Sequence, residues 1–414
     1  MAAPEIDSDS WLLTVEAQHV IGVARQISDP LKAATALRKE FPSLDSALIR
    51  SAQSQARLQL VLERRWNIDA SQFLLTEPGI EQATRPSVAR FRARSITDQF
   101  GTGLRIIDLT CGLGFDALAL AQEGHNVSAY EIDPRTAMYA RHNLHDTNAT
   151  ITTSDVTTIT LPEADLIFVD PARRKNSEAR KIDGSSIRIF DSSQWSPSWE
   201  FVNKVAQSTQ VIAKVAPGVS DDTLDGWDAQ WISDDGDLVE ATLTSRGSGL
   251  RKATIIDDSG HHTYVGRTKT PSQDIGRWLI TPDLALVRAQ ALDVIALTAD
   301  AGLVNEHIAW LTTKNPKGAA AIVSSAPKIG SVFEIIQKCA FNEKALKAAI
   351  ASIPASALTI TTRGVTVDVD ALRKKLFKNA TSGAPELVLA VYREDNGPIA
   401  LLTRRITNLS QISV

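Results

Sequence analysis

The stretch Arg105-Ile-Ile-Asp-Leu-Thr-Cys-Gly-Leu-Gly-Phe-Asp116 leaves the chain little choice of local structure. Ile106 and Ile107 are β-formers, and the apolar run breaks at Asp108 into a turn carrying Gly112 and Gly114. From Asp116 onward Leu118, Leu120 and Ala121 follow helical spacing, and Gly124 stands where a C-cap glycine belongs. The pattern is strand, tight glycine turn, helix. Its glycines let backbone amides approach a ligand closely, beside the positive end of a helix. Gly112-Leu-Gly-Phe-Asp-Ala117 fits the G-x-G-x-x-G/A pattern of dinucleotide sites, so two cofactor classes compete. Asp108 separates them, because a carboxylate at the strand end repels a pyrophosphate and holds an ammonium group. That favours S-adenosyl-L-methionine over NAD, with Asp108, Thr110, Gly112 and Gly114 as candidate cofactor residues. A purely structural turn is the alternative, and the agreement of both flanks speaks against it.

The rest of the chain is arranged around that unit. Residues 1–95 read as helical, with Asp29-Pro30 opening a helix over 31–41 and a longer one over 44–66. The segment 81–94, with Arg85, Arg90, Arg92 and Arg94, reads as a solvated helix face. Over 96–260 strands and helices alternate, the signature of a parallel sheet covered on both faces. A second strand ends at Glu131, about 20 residues after the glycines, where doubly wound folds place an acid on a ribose. Asp133-Pro134 caps the helix that follows. A third strand ends at Asp155, which is either an acceptor for an adenine amino group or a loop cap. The fourth, 166–169, is apolar throughout and ends at Asp170-Pro171. If it neighbours the first strand at the switch point, its carboxyl end faces the cofactor. A fifth strand starting at Gln210 holds Lys214 inside an apolar run. That ammonium either snorkels at an edge or pairs with a carboxylate such as Asp170. Residues 231–243 and 251–256 are expected to complete the sheet as an antiparallel pair.

From 261 onward the character changes. Thr281-Pro282 reads as the cap of a helix running to about residue 299. A strand (332–338), helix (342–350), strand (358–362), helix (369–377) and two strands (387–392, 399–404) follow. This order makes an α+β unit able to bury one sheet face under two helices. The expected fold is therefore α/β: a Rossmann-like sheet over 96–260, an all-α region over 1–95, and a small α+β domain over 261–414.

Composition narrows the partners. Net charge is −4, so nucleic acid must be met by local patches. The only cysteines, Cys111 and Cys339, argue against a disulfide framework or a cysteine zinc site and suit a reducing cytoplasm. The first ten residues lack an apolar core of a signal peptide, and no run approaches the ~20 apolar residues of a membrane span. His142 and His145 are three apart without a third placed ligand, so no metal is expected. Cys111, inside the turn, reads as a small buried side chain and not as a nucleophile.

Methyl transfer from a sulfonium is an in-line displacement that asks for alignment and an acceptor for the departing proton. Asp170 at a strand end suits that task, and Pro171 sacrifices no needed donor. Asp108-Leu-Thr-Cys-Gly-Leu-Gly-Phe-Asp116, Tyr130-Glu-Ile-Asp-Pro134 and Phe168-Val-Asp-Pro-Ala-Arg-Arg174 together resemble the class I S-adenosylmethionine-dependent methyltransferases. More closely, the chain resembles bacterial members with a C-terminal THUMP-like domain, to which Lys214-Val-Ala-Pro-Gly218 and Thr362-Arg-Gly-Val365 are also similar. The resemblance spans about residues 80–410. It implies that Gly112, Gly114, Glu131 and Asp155 line the cofactor and that Asp170 faces the acceptor. It also implies an RNA substrate, because THUMP domains bind structured RNA.

One departure matters. Amino-methylating nucleic-acid enzymes usually place an aromatic after Asp-Pro-Pro, and here Ala172 and Arg173 stand instead, which disfavours adenine N6. An arginine plane can stack on a base or grip a phosphate, so Arg173, Arg174 and Lys214 are candidate substrate contacts. Trp195 and Trp199 either supply the missing platform or pack around Ser196-Pro197. The basic run from Arg173 to Lys181 with Arg188, and the face of Arg373, Lys374, Lys375 and Lys378, read as phosphate contacts or as solvated surface. The expected function is methylation of RNA at a base nitrogen. Methylation of a small molecule and non-catalytic RNA binding are the alternatives.

Overall fold

The computed structural model describes residues 7–173, 195–394 and 396–412. The chain divides into two compact units, Met1–Trp227 with Leu243–Ser248, and Asp228–Thr242 with Gly249–Val414.

The first unit opens with helices α1 (Ser8–Trp11), α2 (Val15–Arg25), α3 (Pro30–Glu40), α4 (Ser46–Trp66), α5 (Glu77–Gln82) and α6 (Pro86–Phe100). Asp7, Thr14, Asp29, Asp45 and Thr76 each accept a first-turn amide with the side chain, which starts five of them. Helix α4 stops at Asn67, in the left-handed region at φ 52. Then follow β1 (Arg105–Asp108), α7 (Phe115–Gln122), β2 (Asn126–Glu131), α8 (Pro134–Asn143), β3 (Thr150–Thr153) and β4 (Leu166–Val169). A two-strand pairing of β5 (Ala172–Arg173) with β6 (Trp195–Ser196), helix α9 (Trp199–Ala206) and β7 (Gln210–Val215) complete it.

The strands lie in the order β7-β4-β1-β2-β3, all parallel. The order reverses between β1 and β4, so the carboxyl ends of those two strands flank the switch point where such sheets bind ligands. Ile106, Ala129, Phe168 and Ile212 share a core with α6 and α7 through Ala93, Ile96, Ala117 and Leu120. A second core joins Leu12, Ile21, Leu37, Leu62 and Leu74 of the N-terminal region to Leu113 in the glycine turn and Tyr139 in α8. The N-terminal helices and the parallel sheet thus lie in one compact unit.

The second unit holds β8 (Asp228–Asp234), most of β9 (Asp237–Thr244), β10 (Arg251–Asp257) and β11 (Gly260–Val265). Here the expected antiparallel pair needs correction. Asp235 and Gly236, at φ 52 and 82, fold residues 231–243 into two strands joined by a tight turn. Strand β8 runs parallel to β10, and the antiparallel partner of β10 is β11. A second correction concerns Thr281-Pro282, which ends strand β12 (Trp278–Pro282). The cap is Asp283, whose Oδ1 accepts from the Ala285 amide at 2.8 Å and the Ser233 hydroxyl at 2.6 Å. The expected long helix is α10 (Leu284–Arg288) and α11 (Asp293–Ala299), broken at Gln290 in the left-handed region.

Beyond them come β13 (Gly302–Asn305), β14 (Ile308–Thr313), α12 (Pro316–Val323), β15 (Gly330–Ala340), α13 (Glu343–Ala351), β16 (Leu358–Arg363), α14 (Val369–Leu376), β17 (Leu387–Glu394) and β18 (Gly397–Ile406). From β15 onward the order is that expected from the sequence. The sheet runs β13-β14-β12-β15-β18-β17-β16, with Leu346, Ile350 and Leu376 of α13 and α14 packed on Leu358, Leu389 and Leu402. Among the described residues no helix is long and apolar enough to cross a membrane.

Candidate active site

Strand β1 ends at Asp108, whose side chain is 0% exposed. Its Oδ1 accepts from the Thr110 amide at 3.0 Å, while Oδ2 is buried without a hydrogen-bond partner. Burial pushes this carboxyl well above its ordinary range; the Thr110 amide opposes the shift, and Asp116, Asp170 and Glu131 add to it. A buried acceptor left open is costly, and it is satisfied only if a donor arrives. Gly112 sits at φ 52, and a Cβ there would meet nothing within 4 Å. Gly114, at φ 89, precedes α7, whose first turn carries no side-chain cap. The helix start without a side-chain cap and the open space at Gly112 therefore belong to the same turn.

Glu131, at the end of β2, crosses to this turn. Its Oε2 accepts from the Gly112 amide at 3.0 Å and its Oε1 from the Asp133 amide at 2.9 Å. Each oxygen keeps a lone pair for a further donor. Asp155 lies past the end of β3 and caps its loop, with Oδ1 accepting from Thr157 N at 2.9 Å and Thr157 Oγ1 at 2.6 Å. Those bonds, the hydroxyl first, hold its pKa below the usual value.

Asp170 follows β4, and its amide donates to Thr110 Oγ1 at 2.8 Å, which ties the two strand ends together. Lys214 Nζ reaches Asp170 Oδ2 at 2.5 Å. The alternative left open for Lys214 is thus resolved as pairing. Phe168 opposes Ile212, so by strand alternation Asp170 and Lys214 project from the same sheet face. Pro171 is buried next to them. Arg173 enters β5, while Arg174, the remaining basic run to Lys181, and Arg188 lie outside the described residues.

Trp195 and Trp199 are 5% and 8% exposed, meet edge to face at 5.5 Å, and Trp199 continues onto Trp227 at 5.0 Å. Packing is their role here. Cys111 is buried, and burial first of all raises its thiol pKa, which disfavours a nucleophile. His142 Nε2 lies 3.1 Å from the Gln72 carbonyl, and no metal-binding cluster occurs among the described residues.

One group escaped the sequence. Arg92, expected on a solvated face, is 4% exposed and ion-pairs with Asp116 in the first turn of α7. Asp116 Oδ2 also accepts from Thr84 Oγ1 at 2.6 Å. Burial alone would raise the Asp116 pKa; Arg92, Lys214 and the Thr84 hydroxyl outweigh it and hold it low. The Arg92 guanidinium lies 5.2 Å over the Phe168 ring, two residues before Asp170. The spacing of Thr84, Arg92 and Asp116 carried no signal, because their contact is made only in the folded chain.

Comparison with known proteins agrees with this frame. A family profile described as THUMP domain-like matches residues 330–405. An uncharacterized S-adenosylmethionine-dependent methyltransferase of Mycobacterium tuberculosis, present in strains CDC 1551 and H37Rv, is 29% identical over 359 residues, spanning 83% of this chain and 91% of the relative. The crystal structure of a candidate methyltransferase from Porphyromonas gingivalis matches with a TM-score of 0.67 at 18% identity, covering 94% of this chain and 98% of that one, a likeness of fold. The chain is thus similar to S-adenosylmethionine-dependent methyltransferases over most of its length, and residues 330–405 match a THUMP-like domain.

Proposed function

We propose that this methyltransferase acts on RNA, at a base nitrogen, with S-adenosyl-L-methionine held at the glycine turn. The observation that carries the cofactor reading is the buried, unpartnered Oδ2 of Asp108 beside the open face of Gly112. The residues present fit the cofactor. Its ammonium supplies the donor that Asp108 lacks, and Glu131 has lone pairs left for ribose hydroxyls. Asp116, Asp170 and Glu131 add, after burial, to the raised proton affinity of Asp108, a field that favours a net cationic ligand and disfavours a pyrophosphate. Thr110, Gly112 and Gly114 shape the turn around it, and Asp155 stands at the adenine end of the reading.

Bound S-adenosylmethionine supplies a methyl group on a positively charged sulfur. The chain's own work is positioning. Asp170 accepts the N–H proton of the acceptor, and Lys214 aims and neutralises that carboxylate. Thr110 fixes the Asp170 backbone to the cofactor turn, so donor and acceptor sides share one rigid junction. Pro171 leaves no amide to compete there. Arg173 and Arg174, next in sequence, are the proposed phosphate or base contacts, and Arg174 lies outside the described residues.

The RNA reading is supported by the THUMP-like segment and by exposed Arg373, Lys374, Lys375 and Lys378 on or just beyond α14. Transfer of a tritiated methyl group to total RNA, run beside a small-metabolite extract, tests it. Label in RNA, lost in Asp170→Ala, is the expected result. Label only in the metabolite extract would assign a small-molecule acceptor, and full transfer by Asp170→Ala would remove Asp170 from the mechanism.

A further inference from the structure

The glycine turn is held from outside the sheet at three successive non-glycine positions. Leu113 is 3% exposed and sits in the N-terminal helical core. A Cβ on Gly79 would collide with its side chain, so α5 and the turn are in close contact. Phe115 meets the rings of Trp66 at 5.5 Å and Phe73 at 5.2 Å. Asp116 is gripped by Thr84 and Arg92. Asn143, the last residue of α8, joins the two parts through the turn backbone itself. Its Oδ1 accepts from the Leu74 amide at 2.8 Å, and its Nδ2 donates to the Leu74 and Leu113 carbonyls, both at 3.0 Å.

We propose that the helical N-terminal region is an integral part of the cofactor site, a brace that sets the glycine turn, with Asn143 as its positioning residue. Gly112 and Gly114 give the turn freedom that glycine always carries into the unfolded and loosened states. A ligand that binds one turn geometry must otherwise bear the cost of selecting it. Asn143 removes that cost in advance, because its three hydrogen bonds lock the Leu113 carbonyl to residue 74. The hold on Leu113, Phe115 and Asp116 leaves open space at Gly112, where a Cβ would meet nothing within 4 Å, whereas the side of Gly114 is filled by Leu144. The functional part of this inference rests on the cofactor reading above, whereas the brace itself does not.

The test uses the full chain and two variants. Asn143→Ala removes all three bonds, while Asn143→Asp keeps the bond from Leu74 N and loses both donations. Hydrogen exchange of the ligand-free proteins is read at residues 109–118 and, as a control, in β2 and β4. The brace predicts exchange at 109–118 faster by about tenfold or more in Asn143→Ala, less so in Asn143→Asp, with β2 and β4 unchanged. S-adenosylhomocysteine titrated by calorimetry should bind about tenfold more weakly to Asn143→Ala. Unchanged exchange at 109–118, or a uniform rise across the unit, overturns the brace. If the wild-type chain binds no S-adenosylhomocysteine, the cofactor reading fails while the exchange result still decides the brace. Should Asn143→Ala not fold, Asn143→Asp gives the same decision.

Discussion

Replacing Arg92 by Met tests how firmly the buried charges hold the site together. Methionine keeps most of the aliphatic stem and removes the guanidinium, which pairs with Asp116 and lies over the Phe168 ring. Removing one partner of a buried ion pair typically costs about 3–5 kcal/mol. Asp116 keeps the Thr84 hydroxyl and the field of Lys214, which places the expected loss near the lower end, about 3 kcal/mol. Urea unfolding followed by tryptophan fluorescence reads it directly as a lowered midpoint. The double variant Arg92→Met with Asp116→Asn should lose less than the sum of the two single changes, by about 2 kcal/mol. The pH dependence has a definite sign. The Asp116 pKa is lowered in the folded chain, so its contribution is present above the unfolded value of about 4 and is lost as pH falls further. The gap between wild type and Arg92→Met should therefore narrow below about pH 4. An Arg92→Met midpoint within about 0.5 kcal/mol of wild type, or strict additivity in the double variant, would refute the reasoning.

Three further outcomes follow from the same geometry. Asp108→Asn should stabilise the ligand-free chain at neutral pH by about 1 kcal/mol or more, because the buried carboxyl has a raised pKa and its cost is absent only at low pH; it should also weaken S-adenosylhomocysteine binding measured by calorimetry. Gly112→Ala should fold with a penalty of about 1–2 kcal/mol for the left-handed backbone, since its Cβ meets no atom, yet lose ligand affinity because the methyl occupies the open face. His125 is buried, with Nδ1 accepting from Leu104 N and Nε2 facing Thr97 Oγ1, and burial lowers its pKa against the pull of Glu123. Its stabilisation is present above about pH 6.5 and lost as pH falls, so thermal unfolding of His125→Gln should be flatter than wild type between about pH 7 and 5.

The parallel sheet was legible because its elements obey local rules. The strand-to-helix switch at Asp108–Asp116, the Asp133-Pro134 cap and the fully apolar β4 each identify themselves within a few residues. The α+β order from β15 to β18 could be read for the same reason. What escaped lies in long-range contacts. Arg92 has the composition of a solvated face, and only its meeting with Asp116 and Phe168 makes it part of the site. Lys214 was readable as a misplaced charge, whereas its choice of Asp170 needed the register of β4 against β7. Asn143 gave no hint, because a polar residue at a helix end is ordinary until its partners are known. Thr281-Pro282 imitated a helix start; the true cap, Asp283, stands one residue later, and Pro282 ends a strand where a missing amide is tolerated.

The central claim is that a carboxylate-flanked glycine turn holds a cationic adenosyl donor. Calorimetric titration of the wild-type chain with S-adenosylmethionine and, separately, with NAD tests it most directly. The account predicts saturable binding of S-adenosylmethionine that Asp108→Asn weakens at least about tenfold, with NAD far weaker. Tighter binding of NAD, or S-adenosylmethionine binding untouched by Asp108→Asn, would contradict it.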